Sequence, residues 1–180
     1  MIETRRLRLR QLTVSDAGFI RNLLNQPSWL RFIGDKNVHT FADARRYIEH
    51  GPMASYQRSG FGLYRVGLRG EGNRANRSIG ICGLIQRDTL DDVDIGFAFL
   101  PECCGAGYAF EAAAATLNYA KDVAGLNRVV AITAPDNLRS IQLLQKLGMT
   151  FERSTALSEG AAPVQLFGID FHASRPSAPP

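Results

Sequence analysis

Asp91-Asp92-Val93-Asp94-Ile95-Gly96-Phe97-Ala98-Phe99-Leu100-Pro101-Glu102-Cys103-Cys104-Gly105-Ala106-Gly107-Tyr108-Ala109-Phe110-Glu111 is the stretch whose reading decides the fold. Its first half alternates in the manner of a strand, with Val93, Ile95, Phe97 and Phe99 on one face and Asp94, Gly96 and Ala98 on the other. Its second half is a glycine-bearing turn, and an alanine-rich helix follows at once. The free N–H groups of a helix's first turn and the positive end of its dipole favour an anion at that point. Strand, turn and helix in one line therefore predict an anion site, taken as the site of a cofactor.

Upstream, Phe61–Leu68 and Ser78–Gln86 read as an antiparallel hairpin around a polar loop, Arg69–Arg77, that carries Gly70, Gly72 and Asn73. The glycines of Ile79-Gly80-Ile81-Cys82-Gly83 suggest close backbone packing against a neighbour. Further back, Arg6–Leu12 alternates arginine with leucine as a first strand, its arginines read as a solvated face. Thr13 or Ser15 caps a helix bearing Phe19, Ile20, Leu23 and Leu24, which Pro27 stops. Trp29 with Leu30, Phe32 and Ile33 reads first as a short helical turn closing the core and second as a substrate-pocket wall. Thr40 and Asp43 resemble a capping box for a helix to about Gly51, with Phe41, Ala44, Tyr47 and Ile48 as its apolar face.

Downstream, Ala109–Ala124 is a helix ended by Gly125, and Arg128–Thr133 is a nearly all-apolar strand of the kind buried on both faces. Asp136 or Asn137 opens the last helix, with Leu138, Ile141, Leu144 and Leu147 as its buried stripe and Gly148 as its stop. Met149–Glu152 and Val164–Phe171 close the sheet. The reading is a single α/β domain over residues 1–173, with a mixed, mostly antiparallel sheet of six or seven strands and helices on both faces. A splay separates its central strands, and a disordered tail is expected over residues 174–180.

With 180 residues, 45% of them hydrophobic, the chain can bury a sizeable core. The arginines behind the formal charge of +4 are dispersed, and no nucleic-acid reader motif is visible. Cys82, Cys103 and Cys104 lack zinc-site spacing and are too few for a disulfide framework. No signal peptide or membrane-length apolar run is present. These features predict a cytoplasmic protein without a metal, acting on neither nucleic acid nor membrane. They leave its oligomeric state open.

The glycine turn fails the dinucleotide test, since Gly105 and Gly107 meet two of the three positions and Phe110 holds the third. The next strand is followed by Ala134 and Pro135 where an acidic residue would be needed. The order of elements and the motifs instead resemble the GNAT superfamily of acyl-CoA-dependent N-acyltransferases, over nearly the whole chain. Glu102-Cys103-Cys104-Gly105-Ala106-Gly107 looks like that family's pyrophosphate loop, with Glu102 departing from the usual Gln or Arg. Gly-Tyr-Ala-x-Glu-Ala at 107–112, Pro-Asp-Asn-x-x-Ser-Ile at 135–141 and Lys-Leu-Gly-Met at 146–149 are similar to the branch that includes ribosomal-protein N-terminal acetyltransferases.

The resemblance implies acetyl-CoA as cosubstrate and direct transfer to a primary amine, on a protein or peptide N-terminus or on a small molecule. Phe97, Ala98 and Phe99 would offer strand backbone to the pantetheine arm, and Gly105, Ala106, Gly107, Tyr108 and Ala109 would hold the pyrophosphate. Asn137 would contact the arm and Ser140 would lie near the sulfur; a helix cap and a surface hydroxyl are their plainer readings. Asp94 is the first candidate for the base and Asp92 the second, both equally readable as solvated carboxylates, with a water chain as the alternative relay. A strand N–H near Phe97 or Ala98 would polarise the carbonyl, with Gly96 permitting a bulge. Many family members have a tyrosine acid where Leu144 stands; in its absence either Ser140 donates through a water or the thiolate leaves with its charge stabilised by the helix end. A catalytically silent acyl-CoA-binding or ligand-sensing domain of the same fold is the alternative. Cys103 and Cys104 lie at the phosphate end without a partnered base, which argues against an acyl-cysteine.

Overall fold

The computed structural model describes residues 1–70, 76–158 and 160–171. The central part of the Arg69–Arg77 loop, with Gly72 and Asn73, and the tail from residue 174 lie outside these. Eight strands form one sheet: β1 (Ile2–Glu3), β2 (Leu7–Gln11), β3 (Leu63–Leu68), β4 (Ser78–Ile85), β5 (Asp94–Phe99), β6 (Arg128–Thr133), β7 (Thr150–Thr155) and β8 (Val164–Asp170). Their spatial order is β1-β2-β3-β4-β5-β6-β8-β7, and every neighbouring pair is antiparallel except β5 with β6. The strand beyond the expected six or seven is β1, two residues paired to β2 and too short for any alternation to reveal.

The helices are α1 (Ala17–Leu24), α2 (Pro27–Phe32), α3 (Phe41–Ile48), α4 (Ala54–Ser59), α5 (Tyr108–Asp122) and α6 (Leu138–Lys146). Pro27 both ends α1 and opens α2, where its missing N–H costs nothing in the first turn. The predicted capping box is present: Thr40 Oγ1 accepts from Asp43 N at 3.1 Å, and Thr40 N donates to the Asp43 carboxylate at 2.9 Å. Beyond α3 the chain widens into a π-turn over Glu49–Met53 that contains Pro52, whose ring cannot fit the regular helical ladder. Trp29 is buried and donates from Nε1 to Gly34 O at 3.1 Å, so it packs the core.

Four residues expected inside are outside, among them Leu30 and Ile33 beside Trp29. Phe41 is exposed and covered by the Arg21 guanidinium, 4.1 Å from its ring centroid. Leu138, at the first turn of α6, is exposed, and the buried side of that helix runs through Ile141, Leu144 and Leu147.

Cross-strand phase puts helices on both faces. Cys82 Sγ meets Thr116 Oγ1 of α5 at 3.4 Å on one side. Arg10 and Arg65, paired across β2 and β3 and one residue out of phase, reach Asp16 at the start of α1 on the other. Asp16 is buried, receives both Arg10 Nη atoms at 2.7 Å, and lies 3.6 Å from Arg65 Nε. Burial, the largest influence on this carboxyl, would raise it. The hydrogen bonds from Arg10 and the Thr13 N–H, with the charges of Arg10 and Arg65, outweigh burial and hold it below the usual carboxylate range.

Because its folded value lies below its unfolded one, Asp16 stabilises the fold above about pH 4 and ceases to do so as pH falls through the folded value. Asp16→Ala should cost about 3 kcal/mol at pH 7, since it strands buried guanidinium charge. In urea titrations the gap between wild type and variant should narrow below pH 4.

Candidate active site

The backbone of β5 is the first element of the site. It pairs with β4 without a register shift from Asp94 to Phe99, but with β6 at one position alone, Asp94 opposite Val130. A hydrogen bond from Val130 N to Val93 O at 3.0 Å lies at this junction. Past it the strands part while β6 stays paired to β8 as far as Thr133. Gly96, Phe97, Ala98 and Phe99 are half-buried although β5 lies inside the sheet, as expected for a strand with an open edge. The bulge expected at Gly96 is not formed. Its position is regular, and a Cβ there would meet Ile85 Cδ1 at 2.8 Å.

The glycine turn lies beyond the far end of this opening. Gly105 and Gly107 have φ of +83° and +79°, conformations that a side chain disfavours, and Gly107 is the N-cap of α5 without a side-chain cap bond. Among the described residues no backbone N–H from Gly105 to Phe110 donates to a backbone carbonyl across this turn, and the first such donor is Glu111 N to Gly107 O at 3.1 Å. An exposed set of unpaired donors at a helix N-terminus fits a pyrophosphate.

The turn is clamped from the first strands. Glu111 Oε1 accepts from Thr4 Oγ1 at 2.6 Å and Arg6 N at 2.9 Å, while Oε2 accepts from Arg6 Nε at 2.6 Å. Arg6 Nη1 also donates to Ala106 O at 3.0 Å, and its guanidinium lies over the Tyr108 ring at 4.7 Å. Arg6 is thus a structural contact of the turn, not the solvated residue expected. Beside it, Arg69, Arg77, Glu102, Ala106 and Tyr108 help to line a cavity of about 530 Å³. Sequence reading missed this gathering of arginines, because they are far apart along the chain and only the sheet brings them together.

At the junction, Asp94 is 1% exposed. Its Oδ2 accepts from Arg87 Nε at 3.0 Å, and its Oδ1 has no hydrogen-bond partner. Burial raises the carboxyl above its ordinary value, opposed by the charge and hydrogen bond of Arg87. It is therefore not the solvated carboxylate that was one of its two readings. Asp92, two residues back, is half-exposed and bound by Arg128 Nε at 2.9 Å; Arg128 also pairs with Glu152 and Asp170.

Across the opening, Asn137 caps α6, its Oδ1 accepting from Ser140 N at 3.2 Å. Ser140 is half-buried one turn along, and Leu144 is in the core. Arg31 of α2 reaches Asp136 at 2.9 Å and so ties α2 to this βα turn. Cys103 is buried, which raises its thiol, and Cys104 is exposed. Among the described residues no group of His, Cys, Asp and Glu could hold a metal ion, and no helix is long and apolar enough to cross a membrane.

An opening of this kind suits an extended cosubstrate with phosphate at one end and an acyl group at the other, which defines an acyl-CoA-dependent transferase. Residues 6–150 match the acetyltransferase (GNAT) domain family, so the chain belongs to that family and is an acyl-CoA-dependent N-acetyltransferase. It is 29% identical over 153 residues to the uncharacterized Bacillus subtilis N-acetyltransferase YoaA, covering 84% of each chain. Among solved structures it resembles the ribosomal-protein-S5-alanine acetyltransferase of Vibrio fischeri, with a TM-score of 0.77, 19% identity, and 97% and 98% of the two chains covered. It also resembles RimL, the ribosomal L7/L12 α-N-protein acetyltransferase solved with coenzyme A, with a TM-score of 0.78, 18% identity, and 95% and 97% covered.

Gly80 tests how tightly β5 is held. A Cβ there would meet Ala98 O at 2.5 Å, a backbone atom that cannot swing aside. Gly80→Ala should cost about 1–3 kcal/mol in urea unfolding by overpacking. It should also weaken acetyl-CoA binding by calorimetry, because the shifted atoms belong to the open strand.

Proposed function

We propose that the chain transfers an acetyl group from acetyl-CoA to a primary amine by direct attack in a ternary complex. The acceptor is a protein or peptide N-terminus or a small-molecule amine. The parting of β5 from β6 beyond Asp94, ahead of the unpaired N–H groups of the glycine turn, carries this reading. The backbone of Phe97, Ala98 and Phe99 pairs with the pantetheine arm, and the N–H groups of Gly105, Ala106, Gly107, Tyr108 and Ala109 hold the pyrophosphate. Asn137 contacts the arm with the part of its amide that the cap leaves over. Acetyl-CoA supplies the activated thioester.

Asp94 is the base that takes the acceptor's proton. Its unpartnered Oδ1 and its raised carboxyl both support that role, because a base needs a lone pair free to take a proton and works best when its pKa lies nearer the working pH. Asp92, already bound by Arg128, is the weaker candidate. A strand N–H near Phe97 or Ala98 polarises the carbonyl, and Ser140 returns a proton to the departing sulfur. Burial of Leu144 agrees with the loss of a tyrosine acid there. The structural likeness to ribosomal-protein acetyltransferases makes peptide N-termini the first acceptors to try.

Acetyl-CoA at about a hundred times its Kd should stabilise the protein by about 2.7 kcal/mol, or roughly 5–10 °C in Tm, and Gly107→Glu should abolish the shift. Absence of any shift at millimolar acetyl-CoA would refute cosubstrate binding. Thiol release with a panel of peptides and polyamines should reveal the acceptor, and Asp94→Asn should slow it about a hundredfold. Binding without turnover on any amine would instead favour the silent domain.

A further inference from the structure

Asp94 is surrounded asymmetrically. Its β4 neighbour is Ile85 and its β6 neighbour is Val130, neither of which can donate from a side chain. The charged group facing it is Arg87, from the connection between β4 and β5, with Nε 3.0 Å from Oδ2. Just ahead of its strand, Asp92 is taken up by Arg128. From α3, Tyr47 lies near Arg87: burial raises its phenol and the Arg87 charge opposes the rise. Arg87 is a third exposed and Asp94 is buried, so the guanidinium reaches from the surface to one carboxylate oxygen and leaves the other, itself buried, without a partner.

We propose that Arg87 is a positioning residue for the transfer: it holds Asp94 Oδ2 so that the carboxylate stays ionised and Oδ1 faces the reaction. This rests on Asp94 being the base. Two needs are balanced by the contact. A carboxylate buried without a counter-charge would pick up a proton and lose its capacity as a base, and one held through both oxygens would have no lone pair aimed at the acceptor. A single Nε contact avoids both. The Nε–H of a planar guanidinium points in one fixed direction, whereas an ammonium turns its three donors freely, so lysine supplies the charge without the same direction of approach.

The test follows the Asp94 ¹³Cγ resonance of the full chain against pH, assigned by its disappearance in Asp94→Asn. Arg87→Gln should raise the titration midpoint by about one pH unit, because the opposing charge is gone. Thiol release from acetyl-CoA with the best acceptor of the amine panel should fall about tenfold to a hundredfold, with its acidic limb shifted the same way. Arg87→Lys should restore the midpoint but not the full rate, which separates charge from orientation. A folded Arg87→Gln protein, shown by an intact thermal shift with acetyl-CoA, whose midpoint is unmoved would overturn the proposal. Full rescue of the rate by lysine would overturn its orientational part. If Asp94→Asn keeps the wild-type rate, the assignment of the base fails; if it is inactive while both Arg87 variants behave as wild type, only the role of Arg87 fails.

Discussion

One parallel junction, Asp94 opposite Val130, joins two antiparallel sub-sheets, and the rest of the site depends on how little of it there is. Each strand is satisfied on its far side, β5 by β4 and β6 by β8, so neither requires the other. Leaving interior backbone donors and acceptors unpaired would cost about 1–3 kcal/mol each if they were dry. The half-buried state of Gly96 to Phe99 shows that they are not sealed off. A ligand with amide groups spaced along an extended arm can supply the partners that the sheet withholds.

An open strand edge is useful only if both ends of the opening are held. At the closed end Val130 N bonds Val93 O, and at the other Leu100 N bonds Ile79 O at 2.9 Å, so β5 is anchored to β4 right up to the turn. The turn itself is held from a distance, through Glu111, Arg6 and Thr4. Glu111 stands in the first turn of α5, where a carboxylate is favoured by the dipole, yet its charge is spent on Arg6. The N-terminal donors of α5 therefore remain available to an anion. The short β1 strand gains its purpose here, since it places Thr4 against α5.

Periodic features were legible in the sequence, and pairwise ones were not. The alternation of Val93 to Phe99, the glycines at 105 and 107 and the apolar run at Val129–Ile132 predict the strand, the turn and the parallel neighbour, and the structure has all three. Gly80 and Gly83 predicted close backbone approach, and both stand within contact of neighbouring backbone. What escaped was long-range polar pairing. Arg6 alternates like a solvated residue because its partner is 105 residues away, and nothing local to Arg87 reveals a buried partner. Phe41 and Leu138 fit a helical stripe by count, but each sits in a first turn, where the stripe can run off the packed surface.

The two carboxylates before the opening show how position along the chain separates chemical roles. Asp92 and Asp94 are two residues apart, one just ahead of β5 and one opening it, and each meets an arginine. Arg128 binds Asp92, Glu152 and Asp170 together, tying the start of β5 to β7 and β8 as a structural hub. Asp92 has solvent and a cation shared with two other carboxylates. Asp94 has burial on all sides, one contact from Arg87 and one unpaired oxygen. Where two neighbouring acids are placed in such different surroundings, the one with a raised carboxyl and a free lone pair is the one suited to proton transfer. The other ties the start of β5 to β7 and β8.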